Sequence, residues 1–141
     1  MHGLEMLDHT VHLTHEWIKE LDADLGWRNK PRTFRLLRAV LHALRDCLPA
    51  AEAADLAAQL PTLMRGVFYE GYRPAHEHKH RWSADDFLVR LNRSFDNDPV
   101  EEGMADAAKV VFRQLARKVS LGEIEDVLGA LPTEIRELWL I

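Results

Sequence analysis

The sequence contains an internal repeat, and this repeat limits the folds open to the chain. EAADLAAQLPTLMRGVF, residues 52–68, aligns without a gap with EIEDVLGALPTEIRELW, residues 123–139. Upstream, EWIKEL, residues 16–21, matches DFLVRL, residues 86–91. Because successive segments agree in the same order, we expect one structural unit to occur twice in the chain.

Each copy carries the apolar spacing of amphipathic helices. The opening helix is predicted to bury one apolar stripe and to end near Gly26. The next helix has apolar residues every three or four positions from Phe34 to Leu48, with Pro31 in its first turn. The residues predicted to form the stripe of the opening helix are Val11, Ile18, Leu21 and Leu25, flanked by Leu13 and Trp17.

Shorter helices are expected to complete each copy. One covers residues 51–59, and two segments resemble capping boxes that begin helices in the second copy, SADD at 83–86 and SLGE at 120–123. No segment alternates polar and apolar residues between turn signals, so no strand is predicted. The prolines expected to start the remaining helices are Pro61, Pro99 and Pro132.

The predicted fold class is therefore all-α. Two tandem repeats of about four helices each are expected to pack as one bundle-like domain with pseudo-twofold symmetry. The domain spans residues 1–141, with repeat one at 8–72, an inter-repeat linker at 73–82 and repeat two at 83–141. One domain is expected because a core of fewer than about 75 residues rarely supplies more than ~3–5 kcal/mol alone.

The composition is that of a soluble globular protein, with 47% hydrophobic and 29% charged residues. The net charge of −5 argues against a dedicated nucleic-acid binder, because phosphates are bound through Lys and Arg. Cys47 is the only cysteine, so no intramolecular disulfide can form. No run of residues reaches the ~20 apolar residues of a membrane helix. We expect a cytoplasmic protein without membrane contact.

Three histidines alternate in AHEHKHRW, residues 75–82. In an extended segment His76, His78 and His80 project to one side, and imidazole is a ligand for zinc, copper, nickel or iron. Basic neighbours in the same segment oppose a dication. The metal-site hypothesis therefore stands beside that of a solvated linker, and no cofactor is predicted.

A second histidine set, His9, His12 and His15, is spaced by three along the opening helix. His12 and Glu16 are four positions apart, so they are neighbours on a helix surface and can share a divalent ion. The alternative is a weak contact on the helix surface.

Basic residues are concentrated on the second helix and the segment that approaches it. They can bind phosphate or an acidic partner, or they can pair with the acidic residues of the preceding helix. The basic residues are Arg28, Lys30, Arg32, Arg35, Arg38 and Arg45.

Catalytic motifs are missing from the sequence: it has no GxSxG and no glycine-rich phosphate loop. No catalytic residue is predicted, and enzymatic activity is not expected. The acids and arginines shared by the two copies are expected to pair within their own copy. These shared residues are Glu52 and Glu123, Asp55 and Asp126, and Arg65 and Arg136.

Four stretches resemble the bacterial family catalogued as domain of unknown function (DUF) 2267. They are WIKELDADLGW (17–27), LRAVLHALRDCLP (37–49), EAADLAAQLPTLMRGVFYEGYRP (52–74) and GEIEDVLGALPTEIRELW (122–139). The resemblance covers nearly the whole chain and implies a small helical protein. It implies no particular activity or catalytic residue, and the HEHKH tract is not part of the family pattern.

The leading hypothesis is a non-enzymatic helical interaction or self-association module, with a homo-oligomer or a protein as partner. Aromatic residues dominate interface hot spots, although the aromatic residues near the linker can equally form core between the repeats. One alternative is metal binding or sensing through either histidine set, and another is weak nucleic-acid or acidic-partner binding through Arg28–Arg45. The candidate interface residues are Phe68, Tyr69, Tyr72 and Trp82.

Overall fold

The computed structural model describes residues 4–74 and 82–140. Over these two ranges the chain forms eight α-helices and no strand, which confirms the predicted all-α class. A 3-10 turn, Arg93–Phe95, follows the fifth helix. The helices are α1 (Glu5–Leu25), α2 (Lys30–Cys47), α3 (Ala50–Ala57), α4 (Thr62–Tyr69), α5 (Ala84–Asn92), α6 (Met104–Lys118), α7 (Leu121–Ala130) and α8 (Thr133–Leu140).

Most helix ends follow from local sequence signals. α1 ends at Gly26, whose φ of 70° is the left-handed conformation that closes many helices. Asn29 caps α2 by accepting a hydrogen bond from the Arg32 N–H (3.1 Å). Ser83 and Asp86 form a complete capping box at the start of α5.

The start of α6 differs from the prediction. Pro99 does not begin this helix, since residues 99–103 form a turn and the helix starts at Met104. Gly103 has φ 93°, a left-handed value that an α-helix cannot contain. The helix can therefore begin only after Gly103.

α2 and α6 form the centre of the bundle. α2 contacts α1, α3, α4, α5 and α6, and α6 contacts α1, α2, α5, α7 and α8. Their inward residues, such as Leu37, Leu44, Val111 and Leu115, are fully buried in one continuous hydrophobic core. Both halves of the chain thus contribute to the same core. None of the described helices is long and apolar enough to cross a membrane.

Arg65 and Arg136, which occupy equivalent positions in the repeat alignment, make equivalent contacts. The Nε of Arg65 donates to the carbonyl of Ala57 (3.2 Å), and the Nε of Arg136 donates to that of Leu128 (2.7 Å). Ala57 and Leu128 also occupy equivalent positions in that alignment. This agreement supports our proposal that the chain contains a duplicated unit, with the pseudo-twofold axis as part of that proposal.

The same contacts correct the expected pairing of these arginines with acids. Within residues 4–74 and 82–140, neither Arg65 nor Arg136 forms an ion pair. Each guanidinium instead satisfies a carbonyl near the C-terminal end of a short helix, where intrahelical partners are missing.

Candidate functional site

The first turns of α1 bury polar side chains and expose apolar ones. Thr10 and Thr14 expose 9% and 5% of their surface, whereas Leu7 and Val11 expose 52% and 42%. The prediction that Val11 belongs to a buried stripe is therefore wrong. The buried line of α1 consists of Thr10, Thr14, Trp17 and Leu21.

Hydrogen bonds made by their hydroxyl groups explain why Thr10 and Thr14 face the interior of the protein. Thr14 Oγ1 donates to the Thr10 carbonyl (2.7 Å), and Thr10 Oγ1 accepts from the backbone N–H of Leu63 (2.8 Å). Leu63 lies in the first turn of α4, and Pro61 before that helix has no capping side chain. Thr10 thus caps α4 from a different helix and satisfies an N–H that has no intrahelical partner.

Leu4, Leu7 and Val11 form what we call the N-terminal apolar surface. Leu7 and Val11 are four positions apart on one face of α1, and Leu4, the residue just before α1, lies three positions before Leu7 and continues that line. Leu63 is also exposed. It lies beside α1, because its backbone N–H donates a hydrogen bond to Thr10 Oγ1. A single exposed leucine is ordinary, but grouped exposed apolar side chains are typical of an interaction site.

Acidic residues and then histidines follow one another along α1 beside the N-terminal apolar surface. Glu5 and Asp8 are exposed in the first turn of α1, and His12 and His15 are exposed farther along the helix. His9 is exposed as well. Among the residues that the structure describes, none of these histidines belongs to a group of three metal-ligand side chains.

The linker histidines His76, His78 and His80 lie outside the described residues. The metal-site hypothesis for them stays a prediction.

The four candidate interface aromatics lie close to the core. Phe68 is fully buried, and Tyr72 and Trp82 are half-buried and pack against the core. Tyr69 is the most exposed of the four, and its ring centroid lies 5.3 Å from that of Phe68 and 5.9 Å from that of Tyr72. Phe68 therefore belongs to the core, and an interface role for the other three aromatic residues stays a prediction.

Tyr72 and Trp82 also line a cleft with Arg45, Asp46 and Arg90. Asp46 accepts hydrogen bonds from Arg45 Nε (2.9 Å) and from Arg90. Burial opposes ionisation of Asp46, but these two guanidinium groups hold its pKa below the ordinary value. Arg45 and Arg90 are therefore engaged with a carboxylate of the same chain.

The basic face of α2 is largely paired inside the protein. Arg32 and Arg35 both bind Asp98, with N–O distances of 3.0 Å, and Arg38 binds Glu70 at 2.9 Å. Internal pairing was one of the two sequence interpretations, but the partners differ from those expected.

The acids of α1 were expected to bind this basic face, and they have other partners. Asp24 binds Arg117 (2.8 Å), and Glu20 binds Lys118, so these acids fasten α1 to α6. Asp22 accepts from the Thr33 hydroxyl (2.7 Å) and fastens α1 to α2.

Comparison with protein families places most of this helical core in one family. The sequence model of the family described as "Uncharacterized conserved protein (DUF2267)" matches residues 14–138. The chain belongs to DUF2267. No curated protein matches the chain. The DUF2267 match begins at Thr14, so it includes the core helices and leaves out Leu4, Leu7 and Val11.

Sequence reasoning missed Leu4, Leu7 and Leu63 as surface residues. A usable signal was present, because Thr10 and Thr14 lie in register with the buried Trp17 and continue its line toward the N-terminus. A pattern built from apolar residues alone does not include threonine among the buried positions. The buried line therefore shares Leu21 with the predicted stripe, but it continues through Trp17, Thr14 and Thr10 and not through Ile18 and Val11.

Proposed function

We propose that the protein is a non-enzymatic helical module that self-associates through the N-terminal apolar surface. The observation that carries this proposal is the exposure of Leu7 and Val11 on a helix whose threonines face the core. We also propose a cytosolic location in a bacterium, which the family resemblance and the single, buried Cys47 support.

The charges around the surface favour a second copy of the chain as partner. In an antiparallel pair of α1 helices, the acidic end of each copy, with Glu5 and Asp8, points toward the histidine-bearing part of the other, with His12 and His15. A twofold interface makes each such contact twice. A parallel pair would instead place the two acidic helix ends side by side, so the antiparallel arrangement is the one proposed.

The spacing of the apolar side chains also suits a helix pair. Leu4, Leu7 and Val11 follow the alternation of three and four positions that places side chains along the seam between two packed helices. A partner helix of the same sequence therefore fits both the apolar and the charged pattern.

The paired charges of the Arg45–Asp46–Arg90 cleft support the non-enzymatic part of the proposal. A general acid, base or nucleophile must be within reach of substrate with a suitable pKa. Asp46 is held ionised between two arginines, which suits a structural ion pair.

Light scattering of the full chain tests self-association. The wild-type protein is expected at about twice the 16.2 kDa of one chain, as for a closed twofold dimer. Leu7→Glu places a charge on the apolar surface and is expected to give the mass of one chain. Val89→Glu is the matched control, because Val89 is 53% exposed on α5, and it should keep the wild-type mass.

Circular dichroism of both variants shows that the helices are retained. A wild-type protein with the mass of one chain at every concentration would contradict the proposal, and so would a Leu7→Glu variant that keeps the wild-type mass.

A further inference from the structure

α3 and α7 pack against each other and bring three carboxyl groups together. Glu52, Asp55 and Glu123 each offer one oxygen atom, and these oxygens all lie within 4.8 Å of one another. Glu52 and Glu123 are equivalent in the repeat alignment, as are Asp55 and Asp126. We call this group of three carboxylates the α3–α7 acidic cluster.

Two oxygens of the cluster are buried without hydrogen-bond partners. Glu123 exposes only 9% of its surface, and one of its carboxyl oxygens is fully buried and unpaired. One oxygen of Glu52 is in the same situation. Burying a polar atom without a partner is costly, so such atoms indicate a ligand or ion that completes them.

The helix cap that could have engaged Glu123 is only half formed. Ser120 Oγ accepts from the Glu123 N–H (3.2 Å), as predicted for the SLGE capping box. The return bond is missing, because the Ser120 N–H donates to Gln59 Oε1 instead (3.1 Å). The Glu123 carboxyl is thereby directed to the acidic cluster rather than to its own helix.

No basic side chain neutralises the cluster within the described part of the chain. None of the ion pairs in residues 4–74 and 82–140 includes Glu52, Asp55 or Glu123. Arg65 and Arg136, the arginines expected to pair with these acids, donate to carbonyls. The negative charge is therefore left for a proton or a cation to offset.

The ionisation of Glu123 reflects this environment. Burial raises the pKa of Glu123 to about 8, and the adjacent carboxyl group of Glu52 adds to this rise, followed by the charges of Asp55 and Asp126. A bound cation favours the ionised carboxylate and releases the proton, so proton and cation compete for one place.

We propose that a divalent cation of the size of calcium binds between α3 and α7 on Glu52, Asp55 and Glu123. Carboxylate oxygens are the ligands that hard cations prefer. Two oxygens bound to one Ca²⁺ at ~2.3–2.6 Å lie no more than about 5 Å apart, so oxygens that all lie within 4.8 Å of one another can share that ion. Ca²⁺ accepts an irregular set of carboxylates, whereas Mg²⁺ requires near-octahedral geometry. The ion links the first half of the chain to the second.

Calorimetric titration of the EDTA-treated full chain with CaCl₂ and MgCl₂ tests the site. One Ca²⁺ per chain is expected, with Mg²⁺ bound at least about tenfold more weakly because it requires near-octahedral geometry and gives up its waters reluctantly. Glu123→Gln removes one charged ligand and is expected to weaken Ca²⁺ binding by about tenfold or more. Glu125→Gln is the matched control, because Glu125 is exposed on the same helix and outside the cluster.

Asp55→Asn is a second test variant. Because Asp55 is exposed, this substitution should leave the fold intact even where a change at the buried Glu123 disturbs it. It should also weaken Ca²⁺ binding and reduce the calcium-induced rise in Tm. Absence of Ca²⁺ binding by the wild-type protein would overturn the proposal, and so would equal binding by wild type, Glu123→Gln and Asp55→Asn. Light scattering of Glu123→Gln separates this result from self-association, because the variant should keep the wild-type mass.

Discussion

α1 and α5 open the two halves of the chain, and they differ most at their N-terminal ends. α1 spans Glu5–Leu25, whereas α5 spans only Ala84–Asn92. The alignment of EWIKEL with DFLVRL, continued upstream, places Thr14 opposite Ala84 at the start of α5. Residues 5–13 of α1 therefore form an extension without a counterpart in α5.

The shared and the extra parts of α1 follow different packing rules. Leu21 and Leu91 are equivalent in the same alignment, and both are fully buried. In the extension, Leu7 and Val11 are exposed, and the family match begins only at Thr14. The difference indicates that the common helical core supplies stability, while the added turns supply the surface proposed for self-association.

Truncation of the two equivalent leucines should have the largest effect. Leu21→Ala and Leu91→Ala each leave a cavity in the core and should lower the free energy of unfolding by about 2–5 kcal/mol. Val89→Ala, on the exposed face of α5, should change it by no more than about 0.5 kcal/mol. Urea denaturation measures all three. A cost for Leu91→Ala near that of Val89→Ala would break the proposed equivalence of α1 and α5.

Glu52 and Glu123, which are equivalent in the repeat alignment, meet in the α3–α7 acidic cluster. Because of this cluster, the stability of the folded protein should depend on pH. The pKa of Glu123 is raised from 4.5 to about 8 in the folded protein, so the folded state keeps a proton that the unfolded state loses. In EDTA, the free energy of unfolding should therefore fall as pH rises from 4.5 to about 8. The slope contributed by one group is at most ~1.4 kcal/mol per pH unit.

Glu123→Gln should remove this part of the pH dependence, because glutamine does not ionise. Glu125→Gln should retain it. The free energy of unfolding of wild type and of Glu123→Gln is measured by urea denaturation between pH 5 and about 8. The same pH dependence in both proteins would show that Glu123 does not retain a proton in the folded state.

The Thr10 cap should have a smaller effect that is specific to the α1 extension. Thr10→Val keeps the shape of the side chain but leaves the Leu63 N–H without its acceptor, and the expected loss is about 1 kcal/mol. In the second half the corresponding helices are joined differently, since Glu134 of α8 accepts from the Ala84 N–H of α5 (3.0 Å).

Thr62→Val is the control for the cap, because Thr62 lies in the same turn of α4 and is exposed. Thermal unfolding followed by circular dichroism compares the two variants. Equal Tm values for Thr10→Val and wild type would show that the hydrogen bond from the Leu63 N–H to Thr10 does not stabilise the protein.

Local signals in the sequence predicted much of the fold. Gly26 ends α1, Pro31 lies in the first turn of α2, and Ser83 caps α5, because each of these features depends on residues a few positions apart. Pro99 failed as a helix start because the left-handed Gly103 lies between it and α6. Short-range chemistry thus decides most of the helix boundaries.

The candidate sites were harder to predict because they depend on which helices meet. Thr10 is buried because α4 presents an unpaired N–H to it, and the apolar pattern of α1 alone does not reveal that contact. Glu52 and Glu123 were recognised as equivalent, but their meeting requires α3 to pack on α7. Sequence equivalence identified the residues, and tertiary packing brought them together.

Concentration-dependent ¹⁵N NMR tests most directly the claim that the α1 extension is a self-association surface. On dilution of the wild-type protein, amide shifts should change for Leu4, Leu7, Val11 and Leu63, while those around Val89 on α5 stay constant. The same series on Leu7→Glu should show no such changes. Dilution shifts that map to α5, or none at all across a range of concentrations, would contradict the account.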